Sequence, residues 1–336
     1  MNNPYFNSLE PIWENPKFVF VDEGRLKEVA KDFAGEDLKT PNWRAPVYPE
    51  SDDELFIDFL GLVDSINFCF TDMITKEKHE LEWKNMKCHG SFAMVACLKR
   101  ALEEGIPILD YQWLKNATLD DLSYIFRATH LIPLLRERKE IFNEVGRVLE
   151  EKYGGHFYNL FEEANYRAFT SDRKGIVDRL IRDFPSFFDV SWHEKSQTFL
   201  QFHKRAQLYA IMYQGRALDS KGKLSLIEDA DNLGPPADYD VPRALKKLGI
   251  LEYEKSLEKK IKAQKIIKKD SLAEQEIRAQ MTYAMVELIE EINKIREANN
   301  WQKPKVNILE VDFRVWWAGK EMGTDEPHHL TPTIAY

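Results

Sequence analysis

The hydrophobic residues of this 336-residue chain recur mostly three and four positions apart, which is the spacing of amphipathic helices. The clearest helix begins after Pro133 and ends at Gly154-Gly155, and a longer one begins at a capping box of Ser271 and Glu274. Because this period dominates, the sequence predicts a mainly α-helical fold. Other helices are predicted over residues 25–33, 55–62, 91–104, 158–168, 173–182, 199–213 and 255–269, and one is predicted to begin at a capping box of Thr118 and Asp121.

Extended segments are few, and the pattern places them in the N-terminal part of the chain. Residues 18–21 form a short apolar run, and residues 80–83 alternate polar and apolar before a return at 87–89. Residues 214–233 are polar and are predicted to form a surface connection. The sequence thus predicts one compact, mostly helical unit over 1–336, with 1–130 and 131–336 as candidate sub-domains flanking an active-site cleft.

Composition narrows the class of protein. Hydrophobic residues make up 43% and charged residues 31%, a balance typical of globular proteins, and the net charge of −9 argues against non-specific nucleic-acid binding. Seven lysines within residues 255–269 predict a solvated helix face, with an RNA-binding patch as the alternative. Three cysteines without Cys-x-x-Cys spacing, no apolar run long enough to span a bilayer and no signal-peptide core predict a cytoplasmic protein.

Several familiar kinds of site are missing from the sequence. It contains neither a phosphate-binding Gly-x-x-x-x-Gly-Lys-Ser/Thr loop nor a dinucleotide-binding Gly-x-Gly-x-x-Gly turn. The adjacent pair His328-His329 is poorly placed to hold one metal ion, and Cys88-His89 has no partner at metal-site spacing. The prediction is therefore an activity without a metal ion or cofactor.

A stiff loop followed by a helix offers the first candidate for chemistry. Gly234, Pro235 and Pro236 cannot continue a helix, whereas Pro242 suits a first helical turn. A carboxylate at Asp238 would be held by this loop and could point into a cleft. The alternative is that Asp238 or Asp240 caps the helix.

Cations inside an apolar helix offer the second candidate. Lys204 and Arg205 lie within the predicted helix 199–213, between His203 and Gln207. Burying an unpaired cation is costly, so these residues indicate either an anion site, most simply for phosphate, or a structural ion pair or snorkelling to solvent.

These two segments together carry a family resemblance. His-Lys-Arg-Ala-Gln-Leu at 203–208, followed by Ala-Asp-Tyr-Asp-Val-Pro-Arg-Ala-Leu at 237–245, resembles the queuosine salvage family of queuosine 5′-phosphate N-glycosylase/hydrolases. The similarity continues, in order, along nearly the whole chain. Other matching segments are 65–70, 100–108, 133–157, 274–278 and the tail from 311 to 336.

The resemblance implies a helical fold similar to that of helix-hairpin-helix DNA glycosylases. It also implies release of queuine, a 7-deazaguanine base, from queuosine 5′-monophosphate, for salvage into tRNA modification. Asp238 would be the catalytic carboxylate, and Lys204 would either bind the 5′-phosphate or pair with Asp238 and keep it ionised. The expected partner is a small-molecule nucleotide, without a membrane and without direct binding to nucleic acid.

The resemblance also implies a set of substrate-binding residues. An aromatic side chain after Ser65 would stack on the base and Asn67 would bind its edge, with ordinary core packing as the alternative for the aromatic residues. For the residues of the last helices, the alternative is that they lock the helices together. The complete set is Asn67, Phe68, Phe70, His203, Tyr239, Glu276, Arg278 and Asp312.

Three positions depart from the family pattern. Thr71 stands where Trp is usual, and both Asp240 and Leu330 stand where Arg is usual. The loss of the arginines is expected to weaken phosphate binding or to shift preference toward the nucleoside. Two other functions remain as alternatives: a DNA base-excision glycosylase, and a non-catalytic helical module that binds a nucleotide or RNA.

Overall fold

A computed structural model describes residues 3–321 and 326–336. Within them, helices predominate and six short strands form three separate two-stranded antiparallel sheets, which confirms the mainly α-helical prediction. The helices are α1 (Glu10–Trp13), α2 (Glu23–Gly35), α3 (Glu54–Ser65), α4 (Ser91–Glu103), α5 (Tyr111–Asn116), α6 (Leu119–Ile125), α7 (Leu135–Lys152), α8 (Phe157–Glu163), α9 (Ile176–Asp183), α10 (Lys204–Asp219), α11 (Asp240–Lys247), α12 (Lys255–Lys262), α13 (Leu272–Ala298) and α14 (Ile308–Glu321). The strands are β1 (Val19–Val21), β2 (Glu80–Trp83), β3 (Met86–His89), β4 (Val190–His193), β5 (Thr198–Gln201) and β6 (Leu251–Tyr253).

Residue contacts group the chain into two compact units, and the first is built around α13. This first unit comprises Met1–Pro41, Asp189–Gln207 and Asp231–Pro332. In it α13 packs against α2, and α11 packs against α14. Strand β1 pairs with β6, and β4 pairs with β5.

The second unit comprises Asn42–Phe188, Leu208–Ala230 and Thr333–Tyr336. Its helix α7 packs against α5 and α6, and α3 packs against α8. The predicted return after residues 80–83 is present as the hairpin β2–β3. The single compact body proposed from the sequence stays a prediction.

Helix starts follow the caps that the sequence offers. The side chain of Asp53 accepts the N–H groups of Leu55 and Phe56, and Thr118 and Asp121 form the predicted capping box of α6. At α13, Ser271 caps the helix by accepting the N–H of Glu274. These local hydrogen bonds explain why the predicted start of each of these helices agrees with the structure.

The predicted helix over 199–213 is wrong at its beginning. Residues 198–201 form β5, which pairs with β4 from Val190↔Gln201 to His193↔Thr198. His203 then has a positive φ of 49°, which interrupts a right-handed helix, and α10 begins at Lys204. The strand partner lies outside the predicted segment, so helical spacing alone could not reveal it.

Three further expectations need correction. Residues 214–219 are not a surface connection but the end of α10. The lysine-rich helix ends at Lys262, because Gln264 has a φ of 48° and the N–H of Ile267 donates to Leu330 at 2.8 Å. Strands are not confined to the N-terminal part, since three of them lie between residues 190 and 253.

Among the described residues, every helix is too short or too polar to cross a lipid bilayer.

Candidate active site

Asp238 lies in the loop before α11. The residues that surround it belong, like Asp238 itself, to the first unit. Asp238 Oδ1 accepts hydrogen bonds from the N–H groups of Asp240 and Val241, each 2.9 Å long. Behind it, the N–H of Gly234 donates to Oε1 of Gln207 at 2.8 Å. Asp238 therefore binds the first two N–H groups of α11 from the position before the N-cap residue, Tyr239, and these hydrogen bonds also fix the orientation of its carboxylate.

Asp240, the other candidate for the cap, faces basic side chains. Its Oδ1 lies 2.9 Å from Nη2 of Arg243, and its Oδ2 lies 3.9 Å from Nζ of Lys320. Asp240 is the first residue of α11, and its carboxylate is engaged by these two cations.

Lys204 brings a buried cation to the same part of the unit. It is the first residue of α10, and only 4% of its surface is exposed. Burial raises the pKa values of the Asp238 and Asp312 carboxyls, and the positive charge of Lys204 opposes that rise in both. Lys204 therefore acts electrostatically on two carboxyl groups, which come from different elements of the chain.

Asp312, on α14, supplies the second of these carboxyls. Its Oδ1 is shielded from solvent and has no hydrogen-bond partner within residues 3–321 and 326–336. Burial and the Asp238 carboxylate raise the pKa of Asp312 to about 8, although Lys204 acts in the opposite direction. Asp312 therefore keeps its proton at neutral pH.

The pKa of Asp238 is set by a different combination of influences. Burial raises the pKa of its carboxyl, the charge of Lys204 lowers that pKa, and the charge of Asp240 raises it. Both Asp238 and Asp312 keep a small solvent-accessible surface, yet the protein atoms around them are dense enough to disfavour charge. The arrangement can hold one ionised and one protonated carboxyl beside an ammonium group, and such a pair titrates as a unit.

Arg278 and Asp189 form a buried ion pair next to this cluster. Nη1 and Nη2 of Arg278 donate to the two carboxylate oxygens of Asp189 at 2.9 and 2.5 Å. The guanidinium also donates from Nε to the carbonyl of Ala237 at 3.2 Å, and it lies 4.0 Å from the ring centre of Phe202. Arg278 thus contacts protein groups on several sides, and its predicted role in substrate binding stays a prediction.

Glu276 is also engaged by the protein itself. Its carboxylate accepts the backbone N–H groups of Lys17, Phe18 and Val19 at distances from 2.5 to 3.1 Å. These bonds tie α13 to the start of β1, as in the alternative that this residue locks elements together. Its predicted role in substrate binding stays a prediction.

Two aromatic contacts surround the remaining predicted residues of the first unit. The ring of His203 packs edge-on against Tyr5, with centroids 4.8 Å apart, and the ring of Tyr239 stacks on His328 at 4.2 Å. His329 is buried, and burial, His328 and Arg278 lower its pKa to about 3, so its ring is neutral.

The described residues contain no group of three or more His, Cys, Asp or Glu side chains arranged to hold a metal ion.

The predicted base-binding segment belongs to the second unit. Nδ2 of Asn67 donates to Asp64 Oδ1 at 3.1 Å. Phe68 and Phe70 are buried, and the guanidinium of Arg138 lies 4.1 Å from the ring centre of Phe68. Core packing describes both rings as they stand, and their contact with a base stays a prediction.

Comparison with known proteins assigns the chain to a family. The model of the queuosine salvage protein family matches residues 47–336. The chain belongs to the queuosine salvage protein family. It is 32% identical over 326 residues to the queuosine 5′-phosphate N-glycosylase/hydrolase of Sphaerobacter thermophilus, covering 97% of this chain and 95% of that protein. Proteins of the same name from Bos taurus and Mus musculus are 28% and 27% identical, with 98% and 97% of this chain and 97% and 96% of those proteins covered.

Asp240 and Leu330, the two positions at which the sequence predicts the loss of an arginine of the family pattern, have local partners. Asp240 pairs with Arg243, as described above. Leu330 is buried, and its carbonyl accepts the N–H of Ile267 at 2.8 Å. Each replacement is therefore integrated into the first unit.

Sequence reasoning missed Asp189. A buried arginine at 278 needs hydrogen-bond acceptors, either carboxylates or carbonyls, and that need was the available signal. Nothing in the spacing of the sequence selects Asp189 for this purpose, because it lies 89 residues away.

Proposed function

We propose that this protein hydrolyses the N-glycosidic bond of queuosine 5′-monophosphate and releases queuine. The observation that carries the proposal is the cluster of Asp238, Asp312 and Lys204, in which two carboxyls with raised pKa values share one buried ammonium. Queuosine 5′-phosphate N-glycosylase/hydrolases from three organisms match nearly the full chain and support the choice of substrate.

The chemistry requires negative charge next to the sugar. When the bond between ribose and base breaks, positive charge develops on the sugar in an oxocarbenium-like transition state. A 7-deazaguanine base has carbon at the position where purine enzymes can protonate a ring nitrogen. The enzyme cannot assist departure of the base at that atom, so stabilisation on the sugar side must provide more of the rate enhancement.

We assign to Asp238 the role of stabilising the positive charge that develops on the sugar. Two N–H groups fix its Oδ1, so the carboxylate needs little reorganisation when charge develops nearby. The ammonium of Lys204 favours the ionised form that this role needs. Water adds to the anomeric carbon as the base leaves, and the products are queuine and ribose 5-phosphate.

Asp312 has the complementary assignment. A carboxyl with a pKa of about 8 is protonated at neutral pH and can donate a hydrogen bond to an acceptor of the substrate. In this proposal, the ionised Asp238 stabilises the developing positive charge, and the protonated Asp312 orients the nucleotide. We propose that this reaction takes place in the cytoplasm on the free nucleotide.

The test is base release followed by mass-resolved chromatography. Purified protein is incubated with queuosine 5′-monophosphate and, in parallel, with queuosine nucleoside. The proposal predicts free queuine and ribose 5-phosphate from the monophosphate. A folded protein that releases no base from either compound would contradict the proposal, as would base release from duplex DNA alone.

A further inference from the structure

The guanidinium of Arg278 joins two segments that carry the proposed catalytic groups. Its two Nη atoms bind Asp189 at 2.9 and 2.5 Å, and its Nε donates to the carbonyl of Ala237 at 3.2 Å. Ala237 directly precedes Asp238 in the loop before α11. One side of the guanidinium therefore fixes the backbone from which Asp238 extends.

Asp189 makes the corresponding contacts to the start of α10. Its Oδ2 accepts the N–H of Lys204 at 3.1 Å, and its backbone carbonyl accepts the N–H groups of Phe202 and His203 at 3.1 and 3.2 Å. Asp189 thus binds the turn that begins α10 through three hydrogen bonds. Since His203 has a positive φ, this turn needs such support to keep Lys204 in place.

We propose that the Arg278–Asp189 ion pair is a positioning device that sets the ammonium of Lys204 against the carboxylate of Asp238. This inference rests on the catalytic roles proposed above for Lys204 and Asp238. The chain of contacts runs from Lys204 through Asp189 and Arg278 to Ala237, and every link in it is a hydrogen bond. The ion pair binds the backbone of both segments, and the charges of Arg278 and Asp189 face each other.

The shape of arginine is essential to this role. A guanidinium presents several N–H donors in a rigid plane, so it can bind the Asp189 carboxylate with two nitrogens and a carbonyl with the third. A lysine keeps the charge but carries its donors on a single nitrogen, so it does not match the positions of these three acceptors. The side chain of Glu274 also faces this guanidinium, with Oε1 3.9 Å from Nη1.

The test compares Arg278→Lys with the wild-type protein and with Arg296→Lys. Arg296 lies on the same helix and is also buried, but its guanidinium binds the carbonyls of Ala34, Glu36 and Pro304. Both substitutions keep the charge and remove the planar fork. Displacement of catalytic groups by about 1 Å costs on the order of 100-fold in rate, so we expect kcat of folded Arg278→Lys to fall about 10- to 100-fold and that of Arg296→Lys to stay within about twofold.

A second readout does not depend on turnover. The charged groups that act on the Asp238 carboxyl are Lys204 and Asp240, and the charge of Asp238 acts in turn on Asp312. Arg278→Lys changes none of these charges. If Lys204 moves away, titration of the Asp238 carboxyl followed by ¹³C NMR must shift to higher pH in Arg278→Lys and not in Arg296→Lys. A purely structural ion pair would lower the melting temperature without this shift.

A folded Arg278→Lys protein with native kcat and an unchanged Asp238 titration would overturn the inference. Should that variant fail to fold, Asp189→Glu supplies the same test, since it keeps the charge and displaces the carboxylate by one methylene. Wild-type protein that releases no queuine would refute the proposed function, whereas the NMR titration would still decide on the positioning device.

Discussion

Asp312 on α14 and Asp238 before α11 are electrostatically coupled carboxyls whose surroundings differ. Burial and the charge of Asp238 raise the pKa of Asp312 to about 8, while Lys204 opposes the rise. For Asp238 the charge of Lys204 is the second-largest influence after burial, and two backbone N–H groups also favour its ionised form. This asymmetry is the physical basis for giving the two residues different roles.

The raised pKa of Asp312 makes a prediction about stability. The folded protein holds a proton that the unfolded chain gives up above about pH 4, so Asp312 reduces stability progressively as pH rises from about 4 to 8. Asp312→Asn cannot ionise, and we expect it to raise the free energy of unfolding by about 1–3 kcal/mol more at pH 8 than at pH 5. Calorimetric unfolding at both pH values, each relative to wild type, measures the difference.

Asp183 in the second unit provides the control. Burial raises the pKa of its carboxyl, but hydrogen bonds from Arg182 and Lys152 outweigh burial and leave that pKa well below its usual value. The stability that Asp183 contributes is present throughout the range from pH 5 to 8 and is lost only in stronger acid. Asp183→Asn is therefore expected to destabilise the protein equally at both pH values. An equal effect of Asp312→Asn at pH 5 and pH 8 would contradict the raised pKa.

The role of Lys204 is open to a kinetic test. Its charge opposes the burial-driven rise of the Asp238 pKa, so Lys204→Met is expected to move the acidic limb of the pH profile of kcat/KM to higher pH. The same shift is expected with the monophosphate and with the nucleoside. Steady-state kinetics from pH 4 to 9 with both substrates provides the measurement. A loss confined to the monophosphate, with an unmoved acidic limb, would instead assign Lys204 to the phosphate.

Much of the fold was predictable because local signals determine it. The side chains of Asp53, Thr118 and Ser271 bind N–H groups two or three residues ahead, so the start of each helix can be read from a few neighbouring positions. Strand β5 was not predictable in this way. It exists because residues 190–193 pair with it, and that pairing competes with the helical spacing of the following segment.

The packing around one glycine of α7 predicts a change in stability opposite to the one that helix propensity predicts. Alanine normally stabilises a helix interior relative to glycine by about 1 kcal/mol. At Gly146, however, a Cβ atom would lie 2.6 Å from the carbonyl oxygen of Tyr111 and closer still to the backbone nitrogen of Lys115, where α5 packs against α7. We expect Gly146→Ala to lower the free energy of unfolding by about 1–3 kcal/mol because the two helices must separate.

Chemical denaturation of Gly146→Ala and Gly35→Ala in parallel measures this effect. Gly35 ends α2, and a Cβ atom there would have no neighbour within 4 Å, so Gly35→Ala should be neutral or slightly stabilising. A gain in stability from Gly146→Ala would show that the two helices are not in close contact.

The candidate site was predictable in part. Asp238, Lys204 and Asp312 were selected from the sequence and act on one another electrostatically in the structure, but their roles stay predictions. The partner of Arg278 could not be found, because Asp189 lies 89 residues away and follows no recognisable motif. Long-range ion pairs of this kind depend on the tertiary fold rather than on local spacing.

The central claim is that the Asp238 carboxylate stabilises the transition state of base release. Asp238→Asn is a sharp test, because asparagine keeps the Oδ1 acceptor for the N–H groups of Asp240 and Val241 while removing the negative charge. The measurement is the rate of queuine release from queuosine 5′-monophosphate by Asp238→Asn and by wild type, with equal melting temperatures as the check on folding. We predict a loss of about 100- to 1,000-fold, the range that removal of one preorganised electrostatic group costs. Undiminished release by the folded variant would contradict the claim and remove Asp238 from the mechanism.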